Sequence, residues 1–177
     1  NRPGAGLLPP DTFIPCAERS ELIIAIDCWV IQAVAAQIAE WNWSGEPIVP
    51  IAINISAKHL ASPRFIDNIL GPLDRYDVDP SRIIIEVTES ALLHDMSIAA
   101  VKLQDLRSRG IRIAIDDFGT GYTSLAHLRT LPVDILKIDR SFTNDASALS
   151  LVKLIIDTGH LLGATVTAEG IETPAQA

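Results

Sequence analysis

Five short runs rich in isoleucine and valine, at residues 48–55, 82–87, 111–115, 133–138 and 165–168, alternate with longer segments patterned as helices. Most of these runs are apolar on consecutive residues instead of every second one, the pattern of strands covered on both faces in a parallel sheet. Between them, Leu22, Ile26, Trp29, Ala33 and Ala36 form one helical stripe. Met96, Ala99, Leu103 and Leu106 form a second that stops at Gly110, and Val152, Ile156, Gly159 and Leu162 a third that stops at Gly163. A glycine just past the last apolar position is the usual end of a helix. Strand, helix, strand in repetition leaves two architectures, an open doubly wound sheet or a TIM-like barrel.

The polar residues choose between them. Asn54 falls at the end of the first run, Glu86 and then Glu89 end and follow the second, and Asp116 and Asp117 follow the third. Lys137 lies near the end of the fourth, and Glu169 follows the fifth. In a barrel the C-terminal strand ends form one ring, where barrel enzymes place their chemistry. In an open sheet they lie along a line, and only those beside a switch point can cooperate. A polar group on every strand therefore favours an α/β fold of the mostly parallel, TIM-like (β/α)8 barrel type. Such a barrel takes ~250 residues. With 177 residues, the chain is expected to be one domain, 1–177, that is incomplete and has flanking barrel strands outside these residues.

Each of these residues also has a plainer explanation. Asn54 can be a turn former, Asp116-Asp117 a solvated turn and Lys137 a paired strand lysine, while Glu89 and Glu169 can favour the dipoles of following helices. Together the plain explanations weaken. Carboxylates crowded around a single recurrent cation repel one another or are forced to take up protons, and divalent metal removes that conflict. Oxygen ligands from Asn, Asp and Glu point to Mg²⁺ or Mn²⁺ over zinc, because Cys16, Cys28, His59, His94, His127 and His160 form no ligand set. Adjacent Asp116 and Asp117 can place carboxylates on two neighbouring ions, with Gly119 and Gly121 allowing a sharp turn behind them. The Asp-Phe-Gly inside this stretch is not a kinase signature, since no Gly-rich nucleotide loop, His-Arg-Asp segment or Walker lysine accompanies it.

Composition narrows the partners. A net charge of −8 and a pI of about 4.8 argue against sequence-independent attraction to nucleic acid polymers or anionic membranes. Two cysteines in helical stretches indicate no disulfide framework and favour a reducing, cytoplasmic setting. The most apolar stretch, residues 22–39, is interrupted by Asp27, Gln32 and Gln37 and reads as a core helix, not a membrane span. No signal peptide opens the chain, which begins at Asn1 without a Met, so a piece of a longer protein is expected, compatible with a membrane anchor elsewhere in the full length.

Five motifs occur in a fixed order: Ile53-Asn54-Ile55-Ser56-Ala57, Glu86-Val87-Thr88-Glu89-Ser90, Asp116-Asp117-Phe118-Gly119-Thr120-Gly121-Tyr122, Leu136-Lys137-Ile138-Asp139-Arg140-Ser141-Phe142 and Ala168-Glu169-Gly170-Ile171-Glu172-Thr173. Together with Leu8-Pro9-Pro10 and Phe13-Ile14-Pro15 near the start, they resemble the EAL domains, bacterial cyclic di-GMP phosphodiesterases, from end to end of the chain. The resemblance implies water attack on one phosphodiester bond of cyclic di-GMP, giving linear pGpG, with two Mg²⁺ or Mn²⁺ ions; Ca²⁺, which prefers longer bonds and more ligands, is expected to inhibit. It implies that Asn54, Glu86 and Asp116 hold one ion and that Asp116, Asp117 and Glu169 hold the other. Lys137 would position or activate the water, and Glu89 would steady the Asp-Asp loop. A homodimer, and sensor or GGDEF domains elsewhere in the full-length protein, are compatible with the family. The Glu-Ala-Leu motif would precede Asn1, the family's Gln-Gly-Tyr strand would follow Ala177, and the segment 142–152 is shorter than the family pattern. Two other readings stand beside this one: a catalytically inactive EAL-fold cyclic di-GMP sensor, and an enolase-like lyase with Lys137 as base.

Overall fold

All five β-rich runs are strands, and their spatial order repeats their order in the chain. In the computed structural model, which describes residues 6, 8–47, 49–93, 95–120, 129–143 and 148–173, β1 (Ile51–Asn54), β2 (Ile83–Thr88), β3 (Arg112–Phe118), β4 (Ile135–Ile138) and β5 (Thr165–Ala168) form one parallel sheet in the order β1-β2-β3-β4-β5. A doubly wound sheet would reverse direction partway; this one never does, which is the winding of a barrel. It is not closed: among the described residues β1 and β5 stand at its two ends.

The pleat sorts side chains by chemistry, because successive residues of a strand point to opposite faces. Ile53, Ile85, Val87, Ile113, Ile115, Leu136 and Ile138 share the core with helix residues such as Ile31, Ile69, Leu103 and Ile155. The opposite face carries Asn54, Glu86 and Ala114, which lie in register across three strands, and Lys137 beyond them. Consecutive apolar residues had suggested strands covered on both faces. Helices instead cover one face, and half-buried Ile84 and Ile135 on the other make the runs look continuous.

Among the described residues the α-helices are α1 (Ile14–Glu18), α2 (Leu22–Ser44), α3 (Ala57–Ala61), α4 (Phe65–Tyr76), α5 (Glu89–Leu92), α6 (Met96–Ser108), α7 (Arg140–Thr143) and α8 (Leu149–Leu161). In α6 the expected stripe is the buried one, with Ala99, Leu103 and Leu106 in the core and Met96 packed against it. In α8 the buried side is Ile155, Thr158 and Gly159, with Val152, Ile156 and Leu162 flanking it. The expectation for α2 was wrong in phase. Its buried residues are Ile23, Asp27, Ile31, Ala35 and Ile38, whereas Leu22 and Trp29 are 59% and 68% exposed. Apolar residues nearly encircle α2, so periodicity alone could not fix its inward side. Tertiary partners for Asp27 fix it. By length and composition α2 could cross a membrane, but here it packs on α1 and α4 and its inner stripe joins the core.

Gly159 shows how close α8 lies to β5. A Cβ there would come 2.3 Å from Val166 Cγ2. Alanine would gain roughly 1 kcal/mol of helix propensity but would overpack a contact where such insertions cost about 1–3 kcal/mol. Gly159→Ala should therefore lower stability by about 1 kcal/mol in urea unfolding; a stabilised variant would show that α8 moves away freely.

Candidate metal centre

Lys137 gathers the site. Its Nζ donates to Glu86 Oε2 at 3.0 Å and forms ion pairs with Asp116 Oδ1 at 3.1 Å and Glu169 Oε1 at 2.6 Å. These carboxylates come from the ends of β2 and β3 and from the residue after β5, so one ammonium on β4 ties four chain segments together. Burial works against the lysine charge, but hydrogen bonds to Glu169, Glu86 and Asp116 outweigh it and hold the ammonium far above the ordinary lysine range.

Two consecutive aspartates can reach one mouth because β3 is irregular there. The expected strand ended at residue 115, with Asp116 and Asp117 beyond it; β3 runs on to Phe118, and its register with β4 shifts between Ile115 and Phe118. Asp117 adopts φ +53° in that shift, and its backbone N–H donates to Asp116 Oδ1 at 3.0 Å. A regular strand would send neighbouring side chains to opposite faces; a bulge cancels the alternation. As a result, oxygens of Asp116, Asp117 and Glu169 all lie within 4.8 Å of one another. Burial pushes the Asp117 carboxyl up, followed by the charges of Asp116, Asp139 and Glu169 and a hydrogen bond to Asp139. Asp139 is held low, chiefly by the Ser141 hydroxyl.

Glu89 opens α5 and is buried. Its Oε2 accepts the backbone N–H of Gly119 at 3.0 Å, so it holds the turn behind the aspartates. At Gly119 φ is +100° and a Cβ would lie 2.9 Å from the Phe142 ring, so only glycine fits beneath that ring. The Glu169 carbonyl accepts the Thr143 hydroxyl at 2.6 Å, which fixes the chain just past β5. Asn54 sits one strand outward from the cluster, opposite Glu86. Gly121, Tyr122, His94 and His127 lie outside the described residues. Of the other histidines, His59 is fully buried and His160 is exposed, in keeping with packing and surface roles.

The structure thus brings Glu86, Asp116, Asp117, Lys137 and Glu169 together, with Asn54 at the rim and Glu89 under the turn. Sequence reasoning passed over Asp139, although its place two residues past Lys137 puts both on one side of the chain. An oxygen-only set of this kind suits a hard divalent cation. The upward shift of Asp117 carries a sign for stability without metal. Below the ordinary Asp range both folded and unfolded forms are protonated and the group is neutral in effect. As pH rises above that range the unfolded chain ionises first, so the folded state loses stability. In chelator-treated protein Asp117→Asn should raise Tm at pH 7 more than at pH 3, measured by calorimetry. An equal gain at both values would assign the effect to the left-handed backbone, which Asn tolerates well.

The sequence profile of the EAL domain family matches residues 1–177. The bifunctional diguanylate cyclase/cyclic di-GMP phosphodiesterase MucR of Pseudomonas aeruginosa is 40% identical over 178 residues, covering 98% of this chain and 26% of that protein. The cyclic di-GMP phosphodiesterase PA2567 of the same organism is 38% identical over 175 residues, covering 97% of this chain and 30% of that protein. The chain therefore spans less than a third of the length of these curated relatives. Among solved structures, the PaMucR phosphodiesterase in complex with c-di-GMP superposes with a TM-score of 0.92 at 40% identity, covering 99% of this chain and 72% of that one. The EAL enzyme Bd1971, in a form with cAMP and cyclic-di-GMP bound, gives 0.89 at 31% identity, covering 99% and 50%. With its parallel barrel winding and its carboxylates gathered at the strand ends, the chain belongs to the EAL domain family.

Proposed function

We propose that this domain hydrolyses cyclic di-GMP to linear pGpG with the help of two Mg²⁺ or Mn²⁺ ions. The observation that carries the reading is the approach of Asp116, Asp117 and Glu169 oxygens within 4.8 Å, in a chain whose relatives include named cyclic di-GMP phosphodiesterases. Asn54, Glu86 and Asp116 would hold one ion, and Asp116, Asp117 and Glu169 the other. When bound, such ions neutralise phosphate charge and lower the pKa of water near neutral pH. In the reaction, water adds to one phosphorus, one ring P–O bond breaks, and the leaving oxygen takes a proton to end as a hydroxyl.

Within that scheme the chain's own groups have separate tasks. Lys137, held as an ammonium by three carboxylates, acts as a hydrogen-bond donor that positions water or phosphate oxygen, not as the base that removes a proton. This also weakens the lyase reading, which needs a neutral lysine. Glu89 keeps the bulge in place through Gly119. Every metal-site position in these residues carries an oxygen ligand, which favours an enzyme over a sensor that has lost its chemistry. The two sheet ends supply the argument for flanking strands, because exposed parallel edges are rarely left bare. A cleft of about 820 Å³ beside β1, lined in part by Ile26, Val30, Ala52 and Asn54, lies at one of them. The relatives' greater length fits additional sensory or catalytic domains around a cytoplasmic EAL domain.

Asp116→Asn in the full-length protein should cut cyclic di-GMP turnover by ~10²-fold or more at saturating Mn²⁺, since it removes charge from the carboxylate proposed to serve both ions. Turnover like that of the wild type would refute the assignment. Calcium prefers bonds of about 2.3–2.6 Å and more ligands than Mg²⁺ or Mn²⁺, so titrating CaCl₂ into a Mn²⁺-supported assay should inhibit. Undiminished activity in excess Ca²⁺ would contradict an ion site of this kind.

A further inference from the structure

A second polar cluster lies behind β1, and the reaction scheme makes no use of it. Asp27 sits in the buried stripe of α2 and is 6% exposed, and His59 of α3 is 0% exposed. A carboxylate on the inner side of so apolar a helix is costly unless it is well partnered. Its two hydrogen bonds converge on one oxygen: Oδ2 accepts the Ser56 backbone N–H at 3.0 Å and the Ser56 hydroxyl at 2.7 Å, while His59 Nδ1 lies 3.4 Å away without a hydrogen bond. At the other side of the imidazole, Nε2 is 3.1 Å from Asn68 Nδ2. With Nε2 accepting from that amide, Nδ1 carries the proton, buried beside the carboxylate but not hydrogen-bonded to it. The ring stands edge-on to Phe65, with centroids 5.5 Å apart.

Ser56 is the hinge between this cluster and the site. It caps α3, accepting the His59 backbone N–H, and it follows Asn54 by two residues. On the upstream side Asn54 is fixed by the strand register with Glu86, and the Ile55 N–H donates to the Glu86 carbonyl at 2.9 Å. On the downstream side the Asp27 carboxylate holds both the N–H and the hydroxyl of Ser56 at the β1–α3 turn. The far end of α3 is tied as well, because Lys102 Nζ donates to the carbonyls of Leu60 and Ser62 at 2.7 and 3.0 Å. The turn that follows Asn54 is thus held through side chains from α2 and α6.

We propose that Asp27 is a positioning residue for the metal-ligating amide of Asn54, acting through Ser56. This rests on the reading of Asn54 as a ligand, and the test separates the two. Groups behind a ligand typically change metal affinity by ~10–100-fold when removed. Mn²⁺ binding to the full-length protein, followed by calorimetry and by the Mn²⁺ magnetic-resonance signal, is measured for Asp27→Ala, Asp27→Asn and Ser56→Ala, each in the wild-type and Asn54→Ala backgrounds. Asp27→Ala should weaken Mn²⁺ by roughly 10-fold. Asp27→Asn, which keeps an acceptor for the Ser56 N–H, should stay within about threefold of wild type. Ser56→Ala, the variant to rely on if Asp27→Ala does not fold, should lose affinity severalfold. In the Asn54→Ala background these losses should vanish, because the ligand they position is gone. Losses of equal size in both backgrounds would overturn the positioning role and leave only general destabilisation. Unchanged affinity in Asn54→Ala alone would instead overturn Asn54 as a ligand, and the proposal with it.

Discussion

One ammonium holds this site in shape. Glu86, Asp116 and Glu169 come from three different segments, and their mutual repulsion at a partly buried strand mouth would drive them apart or protonate them. Lys137 lies within 3.1 Å of all three. The fold itself, through Lys137, gathers these charges from three segments. The same arrangement makes the lysine a competitor for the oxygens it organises. Under the proposed function, a bound divalent ion would take over part of its electrostatic work and leave the ammonium to donate to a reactant.

The rest of the architecture serves that gathering. Parallel winding brings the C-terminal strand ends to one side, and the pleat sends Glu86 and Lys137 toward the polar face and Ile85, Leu136 and Ile138 into the core. Asp117 is the exception to the alternation, and the register shift in β3 accommodates it. The shift is held from behind by Glu89 on Gly119 and by the Phe142 ring lying over that glycine. A backbone at φ +53° on a non-glycine residue is uncommon. Such outliers collect where function sets geometry against local preference.

Much of this was legible in the sequence. Strand positions could be read because consecutive Ile and Val residues have few other uses, and the site because each strand ended in a polar group. The bulge was not legible: nothing in Ile115-Asp116-Asp117-Phe118 distinguishes a strand with a shifted register from a strand that ends. The phase of α2 was misread because so many of its residues are apolar, and the best clue, Asp27, looked like an interruption. A charged residue in an apolar helix can instead mark the inward side when the fold supplies hydrogen-bond partners, here the N–H and hydroxyl of Ser56 from a segment distant in the chain.

The claim on which the account stands is that oxygens from four segments form a divalent-ion site at the sheet mouth. Anomalous diffraction at the manganese edge, from crystals of the full-length protein grown with Mn²⁺ and non-hydrolysable cyclic di-GMP analogue, tests it most directly. The account predicts two peaks, both against Asp116, with one shared by Asp117 and Glu169 and the other by Glu86 and Asn54. Peaks elsewhere, or none at the Asp116, Asp117 and Glu169 oxygens under conditions that support turnover, would contradict it.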